Sequence, residues 1–136
     1  MTYIPGPLRQ LVEERAAGRC EYCLFRRHEN TFLAYEVEHI YAQKHAGETI
    51  ESNLCLSCYD CNRYKGSDLC SLDPVSGEIV ILFHPRPHEW SEHFRLADAQ
   101  IEPLTPQGRV TVRLLHLNDD ARVEERTRLI HIGHYP

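Results

Sequence analysis

A chain of 136 residues is long enough for one domain with a modest core, and its 42% hydrophobic and 26% charged content is that of an ordinary globular protein. Its formal charge of −5 excludes broad, charge-driven attachment to nucleic acid and leaves room only for a local basic groove or a bound cation. No apolar run approaches bilayer-spanning length; the longest is "IVILF" at residues 79–83.

In chain order, the opening "MTYIPGPLRQ" lacks an apolar signal core, so the expectation is a cytoplasmic protein. Six cysteines in such a reducing compartment point to metal binding before disulfides. "PLRQLVEERAAGR" predicts a short packing helix, with Pro7 at its first position and Gly18 as its stop. Leu8, Leu11, Val12 and Ala16 would share one face. After "CEYC", residues 31–40 ("TFLAYEVEHI") are rich in aromatic and β-branched residues and predict a strand. "YAQKHAGETIES" reads as a loop, "NLCLS" as a second strand, and "YDCNRYKG" as a helix start ended by Gly66. "DPVSGE" is a turn, "EIVILF" a buried strand, "HPRPHEWSEHF" a loop leading into a strand, and "QIEPL" a further short strand. Thr105 and Pro106 suit the cap and first residue of a helix, although Val110, Val112 and Leu114 alternate as in a strand. "DDARVEERTRLIHI" predicts a helix started by Asp119 or Asp120. No repeat or linker divides the chain, so residues 67–136 are expected to pack on the first half within a single domain, 1–136.

Cys20-x-x-Cys23 and Cys58-x-x-Cys61 are the strongest chemical signal. Each pair can set two sulfurs on one side of a tight turn, and two such knuckles complete a tetrahedral four-sulfur shell with Zn–S bonds of about 2.3 Å. Unpaired buried cysteines and a redox pair are the weaker alternatives, the second because no βαβ pattern surrounds either pair. A closed shell of this kind stabilises a fold and leaves no open position for catalysis. Cys55 and Cys70 remain outside it, Cys55 as a small buried hydrophobe.

Around the knuckles stand Glu38-His39, Asn53-Leu54 and Cys58-x-x-Cys61-Asn62-x-x-Lys65. With Cys20 and Cys23 upstream, this ordered set resembles the HNH (His-Asn-His) endonucleases over about residues 18–66. The resemblance implies an α+β fold: a small zinc-braced ββα-metal core, an N-terminal helix, and a C-terminal strand-plus-helix extension over residues 67–136. It implies hydrolysis of DNA phosphodiester bonds, the DNA being double-stranded. His39 would be the general base, Glu38 and Asn62 the ligands of a catalytic Mg²⁺ or Mn²⁺, and Asn53 the brace that orients the histidine. Glu38 stands where the family commonly has Asp, and Asn62 where it commonly has a final His. Lys44, His45, Arg63 and Lys65 are candidate phosphate contacts. The alternative is a zinc-braced module that binds nucleic acid or protein with weak or no turnover, which the acidic charge favours.

His84, His88 and His93 could suggest a second metal site, but Pro85 and Pro87 break any helical spacing, and turn and packing roles are expected. Trp90 and Phe94 are expected in the core rather than as base-stacking platforms. "DP-x-x-G-E", "LF-x-PR", the Trp and "GR-x-TV" resemble a C-terminal extension carried by some bacterial members of the same family.

Overall fold

The computed structural model describes residues 3–27 and 34–136. Helix α1 runs Gly6–Ala16 and is preceded by Pro5. It ends where Ala17 and then Gly18 take positive φ (53° and 72°), turning the chain into the first knuckle. Strand β1 is Tyr35–His39. Thr31, Phe32 and Leu33 of the predicted strand lie outside the described residues. Strand β2, Leu54–Cys58, pairs antiparallel with β1, Tyr35 opposite Cys58 and His39 opposite Leu54. Alternation therefore puts Tyr35, Val37, His39, Leu54 and Leu56 on one face, and Glu36, Glu38 and Cys55 on the other. Ile4 and Val12 pack on the first face with Val37, Leu54 and Leu56. The buried stripe of α1 is narrower than predicted: Val12 is buried, Leu8 and Ala16 partly so, and Leu11 stays 40% exposed. Two strands about 5 Å apart are too narrow to cover a helix about 10 Å across.

Helix α2, Tyr59–Lys65, follows β2 without a break and stops at Gly66, whose amide donates to the Asn62 carbonyl. Strands β3 (Cys70–Leu72) and β4 (Ile79–Ile81) form a hairpin closed by the predicted Asp73–Glu78 turn. The strand expected to be buried is not. Ile79 and Ile81 are 73% and 51% exposed, and burial begins only with Leu82 and Phe83, past the end of β4. A hairpin with one covered face shows every second side chain to solvent, and the apolar content of "IVILF" hid that alternation. The pairing strand β3 is only three residues long, too short to be read as a strand from sequence.

A four-residue helix α3 (Trp90–His93) leads into β5 (Phe94–Ala97), which pairs with β6 (Gln100–Pro103). Thr105 caps α4 (Pro106–Leu114), its hydroxyl accepting from the Gly108 amide at 3.0 Å. The helix wins over the strand pattern there because the cap and Pro106 act on the first turn directly. Arg109 grips Asp73 through two hydrogen bonds of 2.8 and 2.7 Å, tying α4 to the hairpin turn, and holds that carboxyl well below its usual range. Helix α5 is Asp120–His131. Leu115, Leu117, Leu129 and Tyr135 share one buried cluster with Tyr22, Phe25, Phe83, Phe94 and the four knuckle cysteines. Each large side chain buried there contributes about 1.5–3 kcal/mol. Among the described residues, no helix is long and apolar enough to cross a membrane.

Candidate active site and metal centre

The first knuckle is a tight turn in which the Cys20 amide donates to the Phe25 carbonyl and the Leu24 amide to the Cys20 carbonyl, both at 2.9 Å. The second knuckle joins the last residue of β2 to the first turn of α2. The four ligating atoms of Cys20, Cys23, Cys58 and Cys61 lie within 4.8 Å of one another, and all four residues are buried. Cys23 and Cys58 sulfurs are 3.7 Å apart. A tetrahedron with Zn–S bonds of about 2.3 Å has edges of about 3.8 Å, so the donor set and its size fit a zinc ion.

A groove of about 320 Å³ opens along β1, lined by Ile4, Glu36, Val37, Glu38, His39, Gln43 and Asn62. Among the described residues β1 pairs only with β2, so its other edge is free. The groove straddles that edge and takes side chains from both faces. This is how Glu38 and His39, strand neighbours that point to opposite sides, reach one cavity. Glu38 is half-buried and accepts from the Cys55 thiol at 3.7 Å. Burial pushes its carboxyl up to about 7, while the Lys65 ammonium and the Cys55 contact pull the other way. His39 Nε2 lies 2.8 Å from the Thr49 hydroxyl. Burial holds the imidazole below its usual value, which keeps it neutral and able to accept a proton. Asn62 faces Glu36, its Nδ2 donating to Oε2 at 3.5 Å.

Asn53 is buried, and all its side-chain polar atoms are used. Its Oδ1 accepts from the Tyr41 amide at 2.9 Å, and its Nδ2 donates to the carbonyls of Tyr41 (3.0 Å) and Glu48 (2.8 Å). These bonds close the loop that carries Thr49 to His39. The closure is tight enough that a β-carbon on Gly47 would run into the Tyr41 carbonyl. Asn53→Ala removes three hydrogen bonds worth about 1 kcal/mol each, so urea denaturation is expected to show roughly 3 kcal/mol lower stability. A loss below about 1 kcal/mol would show that the loop holds itself.

Lys65 is corrected as a phosphate contact. It is 2% exposed, and its Nζ donates to the Ile40 carbonyl at 2.7 Å, fastening α2 to the end of β1. Buried in that contact, it cannot reach a phosphate. Lys44 and His45 sit exposed on a 3-10 turn, Gln43–His45, next to the groove residue Gln43, with His45 Nε2 3.1 Å from the Ser67 carbonyl. Arg63 is exposed on α2 with its guanidinium over the Tyr64 ring at 4.5 Å. His84, His88 and His93 do not gather as a metal site among the described residues. His84 Nδ1 accepts from the Arg86 amide, His88 Nδ1 from the His84 amide, and His93 Nδ1 meets the Thr105 hydroxyl. Phe94 is buried, and Trp90 packs on the core and donates its indole N–H to the Tyr22 carbonyl at 2.9 Å.

Residues 20–68 match the family model described as HNH endonuclease. They form an HNH endonuclease domain. The match begins at the first zinc-type ligand, Cys20, and ends just past α2, so it encloses both knuckles, the groove strand and Asn53. It assigns this part of the chain to a nuclease family whose substrate class is nucleic acid. No curated protein matches the chain.

Glu36 in the HNH domain's groove and Thr49 against His39 were not singled out from sequence. Glu36 was findable, because a strand residue two before Glu38 must share its face. Thr49 was not, because only the folded loop brings it to His39.

Proposed function

We propose that the protein is a divalent-metal-dependent DNA endonuclease of HNH type, acting on double-stranded DNA in the cytoplasm, with residues 1–136 working as one domain. The observation that carries this reading is the convergence of Glu38, His39 and Asn62 on one open groove beside a four-thiol centre. The core shared by both halves supports the single-domain reading.

In the proposed reaction, neutral His39 takes the proton of a water as its oxygen attacks phosphorus, and the P–O3′ bond breaks with the departing 3′ oxygen taking up a proton from solvent water. The carboxylate of Glu38 and the amide oxygen of Asn62 offer hard oxygen donors that suit Mg²⁺ or Mn²⁺. A cation held by Glu38 and Asn62 would supply charge stabilisation at the phosphate and the departing oxygen. Asn53 and Thr49 position the imidazole, and Lys44, His45 and Arg63 are the candidate backbone contacts. The thiol centre holds structural zinc. Supercoiled plasmid incubated with the protein and Mg²⁺ or Mn²⁺ is expected to relax, and no nicking with either ion would end the reading.

Thr49→Val keeps the side chain's shape and deletes its hydroxyl. The expected outcome is a fall of about 5–10-fold in kcat with KM unchanged, as for one lost hydrogen bond, and recovery in Thr49→Ser. Equal rates in all three proteins would remove Thr49 from the mechanism.

The second reading, a zinc-braced binding module without turnover, is favoured by the formal charge of −5 and by the burial of Lys65, which thins the basic surface. It predicts DNA binding in a gel-shift titration with no strand cleavage in wild type.

A further inference from the structure

Helix α5 brings a buried cation to the thiol centre from far along the chain. Arg122 is 7% exposed, and among the described residues no carboxylate forms a salt bridge with it. Its Nη1 donates to the carbonyl of Leu115 at 3.0 Å and reaches that of His116 at 3.4 Å. Its Nη2 is aimed at the sulfurs of Cys61 (3.2 Å) and Cys58 (3.7 Å). One helical turn later, Arg126 is fully buried and donates to the carbonyls of Ala99 (2.7 Å) and Leu117 (2.8 Å), again with no acid partner among the described residues. Both guanidiniums face the Phe25 ring, at 5.8 and 5.2 Å.

A buried cation without a counter-charge is strongly destabilising. Four thiolates around one divalent ion carry a net charge of about −2, which is what this corner of the core needs. Neutral thiols would leave Arg122 with no counter-charge among the described residues. We propose that Arg122 is the counter-ion of the four-cysteine zinc centre, so that α5 is part of the metal site and not a layer laid over it. Its N–H···S hydrogen bonds withdraw charge from the Cys61 and Cys58 sulfurs and slow their exchange for outside ligands. Arg126 adds a second positive charge on the same helix face. The proposal rests on the zinc reading and is independent of nuclease activity.

Zinc content of the full chain is measured first, with one ion per chain expected; a zinc-free wild type would overturn the zinc reading and this proposal with it. Zinc transfer to a chromophoric chelator is then timed for wild type, Arg122→Lys, Arg122→Met and Leu129→Ala. Leu129 is buried on α5 in the same cluster and has no polar or charged group to offer a thiolate, so it reports on packing alone. Arg122→Met is expected to release zinc about 10–100-fold faster than wild type, the range usual for lost partners of metal ligands. Arg122→Lys should stay within a few-fold of wild type. Leu129→Ala should lower Tm without faster release from the folded protein. Release from Arg122→Met at the wild-type rate, or equal acceleration in Leu129→Ala, overturns the counter-ion role. If Arg122→Met does not accumulate folded, Arg122→Gln in the same assay decides: neutral and still hydrogen-bonding, it must release zinc faster than Arg122→Lys.

Discussion

His39→Ala is expected to lower the plasmid-nicking rate by about 10²–10⁴-fold, the range for losing a general base, with zinc content and circular dichroism unchanged. The fold should tolerate the change because His39 closes β1 and is only half-buried. Its ring bonds the Thr49 hydroxyl, in a loop that Asn53 holds independently. Catalysis should not tolerate it, because among the described residues the groove offers no second imidazole. Glu38 is the proposed cation ligand, Glu36 accepts from the Asn62 amide, and Asn62 does not titrate. An exogenous imidazole, supplied at tens of millimolar, should restore part of the rate by entering the space that the substitution opens on the groove. If His39→Ala nicks at the wild-type rate, the nicking comes from elsewhere and the assignment of this groove fails.

Removing zinc is expected to unfold the protein. Ligation of structural zinc by four cysteines is worth about 10–16 kcal/mol at neutral pH, as much as or more than the roughly 5–15 kcal/mol that holds a typical domain together. Here the four thiols sit inside the main buried cluster, beside Tyr22, Phe25, Leu115 and Leu117, and not at an edge where a loop alone would fray. Cys61→Ser, or incubation with a strong chelator, should therefore abolish the cooperative thermal transition, read by circular dichroism with zinc measured in parallel. Omitting Mg²⁺ and Mn²⁺ from the buffer should leave the same transition intact and stop only the nicking. The two metals are thus separable by one pair of melts. A cooperative transition at an unchanged Tm in the zinc-free protein would mean that apolar packing alone holds the core.

Much of this molecule is legible from residues that act on their chain neighbours. Thr105 and Pro106 start α4, Asp119 precedes α5, Gly66 ends α2, and each Cys-x-x-Cys makes its own turn. Such signals work over three or four residues, and folding does not revise them. The hairpin β3–β4 was half legible, because three-residue strands carry too little pattern to show which face is covered.

By itself the sequence determined the α+β class, the pairing of knuckles at Cys20–Cys23 and Cys58–Cys61, and the HNH resemblance over about residues 18–66, where the family model matches residues 20–68. Only the tertiary structure decided that Lys65 turns inward to the Ile40 carbonyl, that Thr49 meets His39, and that Arg122 reaches Cys61 from 61 residues away. The reason is physical. A cap or a knuckle is set by torsions and bonds within one turn of chain. The fate of a charged side chain depends on which distant element closes over it, and no local pattern records that.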